Sequence, residues 1–224
     1  MPDPADGVRA VVFDLDGTLI DSLPDLAAAL NRSLARHGQA AIEGEQVKPM
    51  IGDGALMLLQ RGYGARGLTP SDADIQVFLD DYQAHVTDLT SVYPEIPAVL
   101  ATLAAQGYAL AVCTNKPEAS ARKVLAALNL LAPFPVVFGG DTTPFRKPDP
   151  RHLQAVLDAI GVSPAQAVMI GDHPNDLATA DGCGARAIFC AWGYGKSDAP
   201  LRADNPAQLP ALIATLIPPH PPNG

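Results

Sequence analysis

Val11-Val12-Phe13-Asp14-Leu15-Asp16-Gly17-Thr18-Leu19-Ile20-Asp21-Ser22 is an apolar run that ends in an acid, with a second acid two residues on and a glycine directly after it. Short apolar runs of this kind are expected as buried parallel strands. Gly17 stands where the backbone must turn tightly. Open α/β sheets place their chemistry at the carboxyl ends of such strands. Two carboxylates there can divide the work, one attacking and one handling protons, if their surroundings separate their pKa values. A single strand-end Asp is an ordinary turn former; a string matching D-x-D-G-T-L-x-D-S is a larger coincidence.

Further apolar runs at 109–113, 135–138, 167–170 and 185–189 join 10–14 as expected strands. Helical patterns separate most of them, so the fold class is α/β, a Rossmann-like parallel sheet flanked by helices. The gap between the first two strands is far longer than one crossover needs. Within it, Ser22 and Pro24 open a helix with Leu23, Leu26, Ala27, Leu30 and Leu34 on one face. A second helix is expected over 71–90, with Ile75, Leu79, Tyr82, Val86 and Leu89 as its apolar stripe. Residues 21–91 therefore form a helical cap inserted after the first strand, and 1–20 with 92–224 form the α/β core. Asn205-Pro206 opens a last helix to about 217, and the Pro-rich end from 218 is expected as a loose tail.

Three more strings carry chemistry. In Val112-Cys113-Thr114-Asn115-Lys116-Pro117, the strand-end Thr114 hydroxyl is placed to donate to an anionic oxygen; Lys116 is either a substrate contact or a solvated loop charge. In Arg146-Lys147-Pro148-Asp149-Pro150, Asp149 is an N-cap and Pro150 the first helical residue. Lys147 precedes that helix as a compact cation suited to an oxygen cluster. In Met169-Ile170-Gly171-Asp172-His173-Pro174-Asn175-Asp176, a second apolar strand ends in an acid, with another acid four residues later. Strand-end carboxylates suit Mg²⁺, which takes few protein ligands.

Together these four strings resemble the haloacid dehalogenase-like hydrolases, mostly Mg²⁺-dependent phosphatases, and most closely their phosphoglycolate phosphatase branch. The resemblance runs from about residue 9 to about 195. It implies that Asp14 is the nucleophile and forms an aspartyl-phosphate. It makes Asp16 the general acid and then base, with its backbone carbonyl a metal ligand. Thr114 and Lys147 would hold phosphoryl oxygens, with Thr18 and Asn115 among the substrate contacts. Asp14, Asp16, Asp172 and Asp176 would form the Mg²⁺ site, Asp176 acting through water or the outer shell. Like charges ~4 Å apart repel by about 4 kcal/mol at an effective dielectric near 20, so a divalent cation is the economical answer among these acids and a phosphate. The family more often has Ser at the position of His173, which is expected here in a hydrogen-bonding or solvent-facing role. The implied substrate is 2-phosphoglycolate; the alternatives are a sugar-phosphate phosphatase or a phosphohexose mutase on the same core. A dehalogenase would be expected to lack Asp16. A non-enzymatic binding module would have lost at least one of Asp14, Asp16, Lys147 and Asp172.

Gly62-Tyr63-Gly64-Ala65-Arg66-Gly67 fits G-x-G-x-x-G but follows a helix-like segment and runs into Leu68-Thr69-Pro70, so it is expected as a loop and not as a dinucleotide site. In relatives with such caps a cap loop reaches over the core, which points to Gly52-Asp53-Gly54. Arg61 is the expected partner of a substrate carboxylate, with Arg66 as the other candidate; either can equally be a solvated helix-end charge.

The 224 residues, 48% hydrophobic, suffice for one core domain and a modest insertion. A net charge of −9 and a pI near 4.8 oppose a nucleic-acid-coating surface. They also oblige a phosphate site to supply its own local positive charge. Three cysteines without C-x-x-C spacing are expected as buried thiols in a reducing compartment. With no signal-like N-terminus and no membrane-length apolar run, the expected setting is cytoplasmic. The expected partner is a small phosphorylated metabolite, with no nucleic acid or membrane, and the chain acting as monomer or homodimer.

Overall fold

The computed structural model describes residues 9–219; the start of the chain and the expected tail from 220 onward lie outside the described residues. The elements in order are β1 (Ala10–Phe13), β2 (Ile20–Asp21), α1 (Leu23–Ala35), α2 (Gly44–Val47), α3 (Ala55–Gly64), α4 (Asp72–His85), β3 (Ser91–Val92), α5 (Ile96–Ala105), β4 (Ala109–Cys113), α6 (Glu118–Ala127), β5 (Val136–Phe138), α7 (Pro150–Ile160), β6 (Ala167–Gly171), α8 (Pro174–Cys183), β7 (Arg186–Cys190), β8 (Arg202–Ala203) and α9 (Leu209–Leu216). The six-stranded sheet has the order β5-β4-β1-β6-β7-β8, and every pairing in it is parallel. All five sequence-derived strands are present, each within a residue or so of its expected bounds.

β1 shows no polar alternation because both its faces are buried. Val11 and Phe13 face the core shared with α5 and α6 through Leu103, Val124 and Leu125. Ala10 and Val12 face Leu153, Val156 and Leu157 of α7 and Ala180 of α8. The chain builds β4 and β5 on one side of β1 and β6 to β8 on the other. The strand order thus reverses beside β1, and the crevice at its carboxyl end is where this class of sheet binds ligands.

β2 and β3 pair antiparallel, Ile20 with Val92 and Asp21 with Ser91, and α1 to α4 lie between them in sequence. α1 buries Leu26, Ala29, Leu30, Ser33 and Leu34, the i, i+3, i+4 stripe of an amphipathic helix. The G-x-G-x-x-G string divides: Gly62-Tyr63-Gly64 forms the last turn of α3, and only the remainder is a turn. Gly62 is a packing residue. A Cβ there would lie 2.4 Å from Leu30 Cδ1, so its absence lets α1 and α3 approach.

α4 starts as expected, with Ser71 and Asp74 in a reciprocal capping box, but ends at His85 and not near 90. The stripe changes with it. Phe78 is buried and stacks on Tyr82 at 6.2 Å between ring centroids, while Leu89 is 58% exposed. The cause is Asp25 on α1, a buried carboxylate that accepts hydrogen bonds from the backbone N–H of Leu89 and Thr90 and from the Thr90 hydroxyl. These bonds offer the chain an alternative to another helical turn. The last helix also starts later than expected: Pro206–Gln208 forms a 3₁₀ turn before α9.

Replacing Asp25 by Ala takes this acceptor from the Leu89 and Thr90 N–H groups, with Thr90 buried, and leaves the Thr90 hydroxyl only its 3.3 Å contact to Val86 O. The expected cost is about 2–3 kcal/mol, a fall in Tm of roughly 4–10 °C for a chain this size. A thermal melt within a degree of wild type would show that the carboxylate does not hold the end of α4.

Candidate active site

The four motifs converge on the crevice. Asp14 follows β1, and its backbone N–H donates to Ile170 O of β6 at 2.8 Å. Thr114 follows β4, held by its N–H to Phe138 O at 3.0 Å. Asp172 follows β6, and Asp176 lies in the first turn of α8. Lys147 arrives from the loop before α7. Parallel strands are what bring residues more than a hundred positions apart to one edge.

Lys147 is 3% exposed, with Nζ 2.8 Å from Asp14 Oδ1 and 2.6 Å from Asp176 Oδ1. Burial works against its charge, but the two carboxylates outweigh burial and hold its pKa above the ordinary lysine value. Asp172 is fastened by three donors: the Thr18 hydroxyl to Oδ1 at 3.0 Å, and the Tyr194 and Gly195 N–H groups to Oδ2 at 2.7 and 3.4 Å. Gly17 makes this approach possible. Its φ is +84°, and a Cβ there would stand 2.3 Å from Asp172 Oδ2.

The carboxylate oxygens of Asp14, Asp172 and Asp176 lie within 4.8 Å of one another, all buried. One ammonium does not balance them. Burial first, and then the neighbouring acids, push Asp172 up to about 7. Burial and Asp14 raise Asp176 to about 6 against the pull of Lys147. An all-oxygen, anion-rich, enclosed donor set is what a hard divalent cation such as Mg²⁺ requires, so these residues fit that ion.

Thr18, Arg61, Arg66 and Asn115 are engaged otherwise than the sequence suggests, while His173 takes the hydrogen-bonding role expected of it. Sequence reading puts Thr18 at the substrate; the structure buries it fully and spends its hydroxyl on Asp172. Arg61 donates to Met50 O at 2.8 Å and pairs with Asp53, so its charge is already answered. Arg66 caps the carbonyls of Ala40 and Ala41 at 3.0 and 2.7 Å. Asn115 donates its amide to Gly52 O and Lys147 O at 3.0 and 2.9 Å, stitching the 52–54 loop to the loops that carry Thr114 and Lys147. Thr114 accepts from the Lys116 N–H at 3.3 Å, which leaves its own proton to donate into the crevice. His173 is the N-cap of α8. Its Nδ1 accepts from Asn175 N–H while its own N–H donates to Asp176, and burial holds its pKa below the ordinary value. A neutral imidazole is the form that can accept there.

Lys116, open in sequence between a substrate contact and a solvated loop charge, is buried beside Asp16, and Tyr82 and Tyr194 join the site from outside the expected residues. Lys116 is buried, with Nζ 2.9 and 3.2 Å from the Asp16 carboxylate oxygens, and it also contacts the Tyr82 hydroxyl. Tyr82 comes from α4, and the apolar stripe gave no sign that its polar end was wanted. The Tyr194 hydroxyl receives the N–H groups of Ser22 and Leu23 and donates to Asp21. The signal for it was the glycine-flanked string Trp192-Gly193-Tyr194-Gly195 just after a strand.

A family model described as haloacid dehalogenase-like hydrolase matches residues 11–190. A phosphoglycolate phosphatase of Rhodospirillum rubrum is 45% identical over 196 residues, 84% of this chain and 81% of that protein. A phosphoglycolate phosphatase of Pseudomonas putida is 37% identical over 217 residues, 94% of this chain and 79% of that one. Among solved structures, a predicted phosphoglycolate phosphatase from Haemophilus somnus superposes with a TM-score of 0.84 at 28% identity, covering 92% of this chain and 97% of that chain.

The raised acids set a pH dependence for the metal-free protein. Asp172 and Asp176 bind their protons more tightly folded than unfolded. Their contribution to stability is therefore complete below the ordinary carboxylate value of 3.8 and is lost as pH rises through about 6 to 7. In chelator, Tm is expected to fall across that window, and to fall less in Asp172→Asn. A wild-type Tm that stays level from pH 5 to 8 in chelator would contradict the crowding of these carboxylates.

Proposed function

The chain belongs to the haloacid dehalogenase-like hydrolase family and is a phosphoric monoester hydrolase, and we propose that it hydrolyses 2-phosphoglycolate to glycolate and phosphate through an aspartyl-phosphate on Asp14. The observation that carries the reading is the Asp14 carboxylate at the carboxyl end of β1, paired with the buried Lys147 and two residues from Asp16 at the mouth of the same crevice. The named relatives supply the substrate.

In the proposed sequence an Asp14 oxygen attacks phosphorus as the ester oxygen departs opposite. Asp16 gives that oxygen a proton, so the alcohol leaves neutral. Asp16 then takes a proton from water, whose oxygen attacks phosphorus and restores the Asp14 carboxylate. Lys147 and the Thr114 hydroxyl hold phosphoryl oxygens as charge moves between them. Asp14, Asp172 and the Asp16 carbonyl would hold Mg²⁺, with Asp176 supporting from behind through Lys147. When bound, the ion offsets the negative charge shared by the phosphoryl oxygens and the acids. Residues 21–91 act in this reading as a cap over the 1–20 and 92–224 core, excluding bulk water during transfer.

No helix among the described residues is long and apolar enough to cross a membrane. The reading sets the enzyme among small metabolites of the cytoplasm, as a monomer or homodimer.

Asp14→Asn keeps the shape of the side chain but removes the nucleophile. Phosphate release should fall below about a thousandth of wild type with the fold retained, and near-normal release would remove Asp14 from that role. Chelation should abolish turnover and added Mg²⁺ restore it, with Asp172→Ala raising the Mg²⁺ concentration needed. Full activity of chelated enzyme would sink the metal requirement.

A further inference from the structure

We propose that Lys116 forms a carboxylate-binding subsite that selects the leaving group, an inference that rests on the phosphomonoesterase reading above. The cleft beside Asp14 and Asp16 is walled by Leu26, Ile51, Leu58 and Tyr82 from the cap and by Thr114 and Lys116 from the core. Among the described residues lining it, Lys116 is the one cation; Arg61 and Arg66 do not line it. An anionic group entering between aliphatic side chains loses water and needs a charged partner.

The reach is right for a two-carbon acid. The leaving oxygen must come within hydrogen-bond distance of Asp16, and the Lys116 ammonium sits 2.9 Å from that same carboxylate. In an O–CH₂–COO⁻ fragment the carboxylate is separated from the leaving oxygen by one methylene, so it falls beside Lys116 when the oxygen falls beside Asp16. Lys116 has the capacity to receive it. An ammonium has three N–H donors, which here face both Asp16 oxygens and the Tyr82 hydroxyl; a ligand carboxylate would take over the longer, 3.2 Å contact to Asp16 while the 2.9 Å one stays. Its position is fixed from both sides: it is 4% exposed and lies 4.9 Å from the Tyr82 ring centroid. Burial, which works against the charge, is outweighed by Asp16 and Tyr82, so the group stays cationic. The first turn of α3 faces the same cleft through Gly54 and Ala55, with no side-chain cap on its N–H groups. Sharing one ammonium also screens the substrate carboxylate from Asp16, which would otherwise repel it.

The test compares 2-phosphoglycolate with ethyl phosphate, using phosphate release by the full-length enzyme with Mg²⁺. Both lose an alkyl oxygen, so any influence of Lys116 through Asp16 acts on both, and only the carboxylate differs. Wild type should favour 2-phosphoglycolate by about ten- to hundredfold in kcat/KM. Lys116→Met should bring that ratio close to one, mainly through KM, and Lys116→Arg should recover part of it. Arg61→Ala should keep the wild-type ratio, a result that stands even if the Lys116 variants fold poorly. Equal losses on both substrates in Lys116→Met would overturn the subsite while leaving the phosphatase reading intact, as would a ratio that collapses in Arg61→Ala. A wild type that does not distinguish the two esters would overturn the subsite and the 2-phosphoglycolate assignment together.

Discussion

One buried ammonium stands among three buried carboxylates at the end of β1, and the rest of the site is arranged around that imbalance. Lys147 answers Asp14 and Asp176 directly, while Asp172 is stabilised only by a hydroxyl and backbone N–H groups. Isolated ions are costly to bury, so the cluster stands because donors and a cation are delivered from β1, β6, α8, the 147 loop and the segment after β7. That segment closes over the first motif, where the Trp192 indole N–H donates to Thr18 O at 3.1 Å. The uncompensated negative charge is what suits this cluster to a divalent cation.

A second ion pair ties the helical segment to the chemistry. Lys116, between β4 and α6, holds Asp16, and Tyr82 on α4 holds Lys116. Other links run in parallel. Asn115 donates to Gly52 O, and Asp53 accepts from Asn175 at 2.7 Å while pairing with Arg61. The loop at 52–54 is thus latched onto Asn115 in the loop after β4 and onto Asn175 in the first turn of α8. A shift of this segment would disturb the surroundings of Asp16 and the mouth of the cleft together.

The elements that sequence reading placed well are those governed by local rules. The five strands stand out because a strand covered on both faces must be apolar at every position, as in Ala10–Phe13. The Ser71 and Asp74 capping box and the Asp149-Pro150 helix start are contacts within one turn, so adjacent residues suffice to reveal them. The end of α4 was not legible in this way. Nothing near Leu89 shows that a carboxylate 64 positions earlier captures its N–H. Nor does a glycine-rich string reveal that Gly62 is small for the sake of Leu30.

The amino-acid sequence alone determined the parallel α/β frame, the positions of Asp14, Asp16, Thr114, Lys147 and Asp172 at strand and loop ends, and the family they mark. Those features follow from hydrophobic period and residue order, both written along the chain. Only the tertiary structure decided how the charges are shared. Arg61 and Arg66 turn to Asp53 and to backbone carbonyls, Thr18 turns to Asp172, and Lys116 turns inward to Asp16 beneath a tyrosine from another helix. A long side chain takes whichever opposite charge the fold brings within a few ångströms, and that distance depends on how segments far apart in sequence pack.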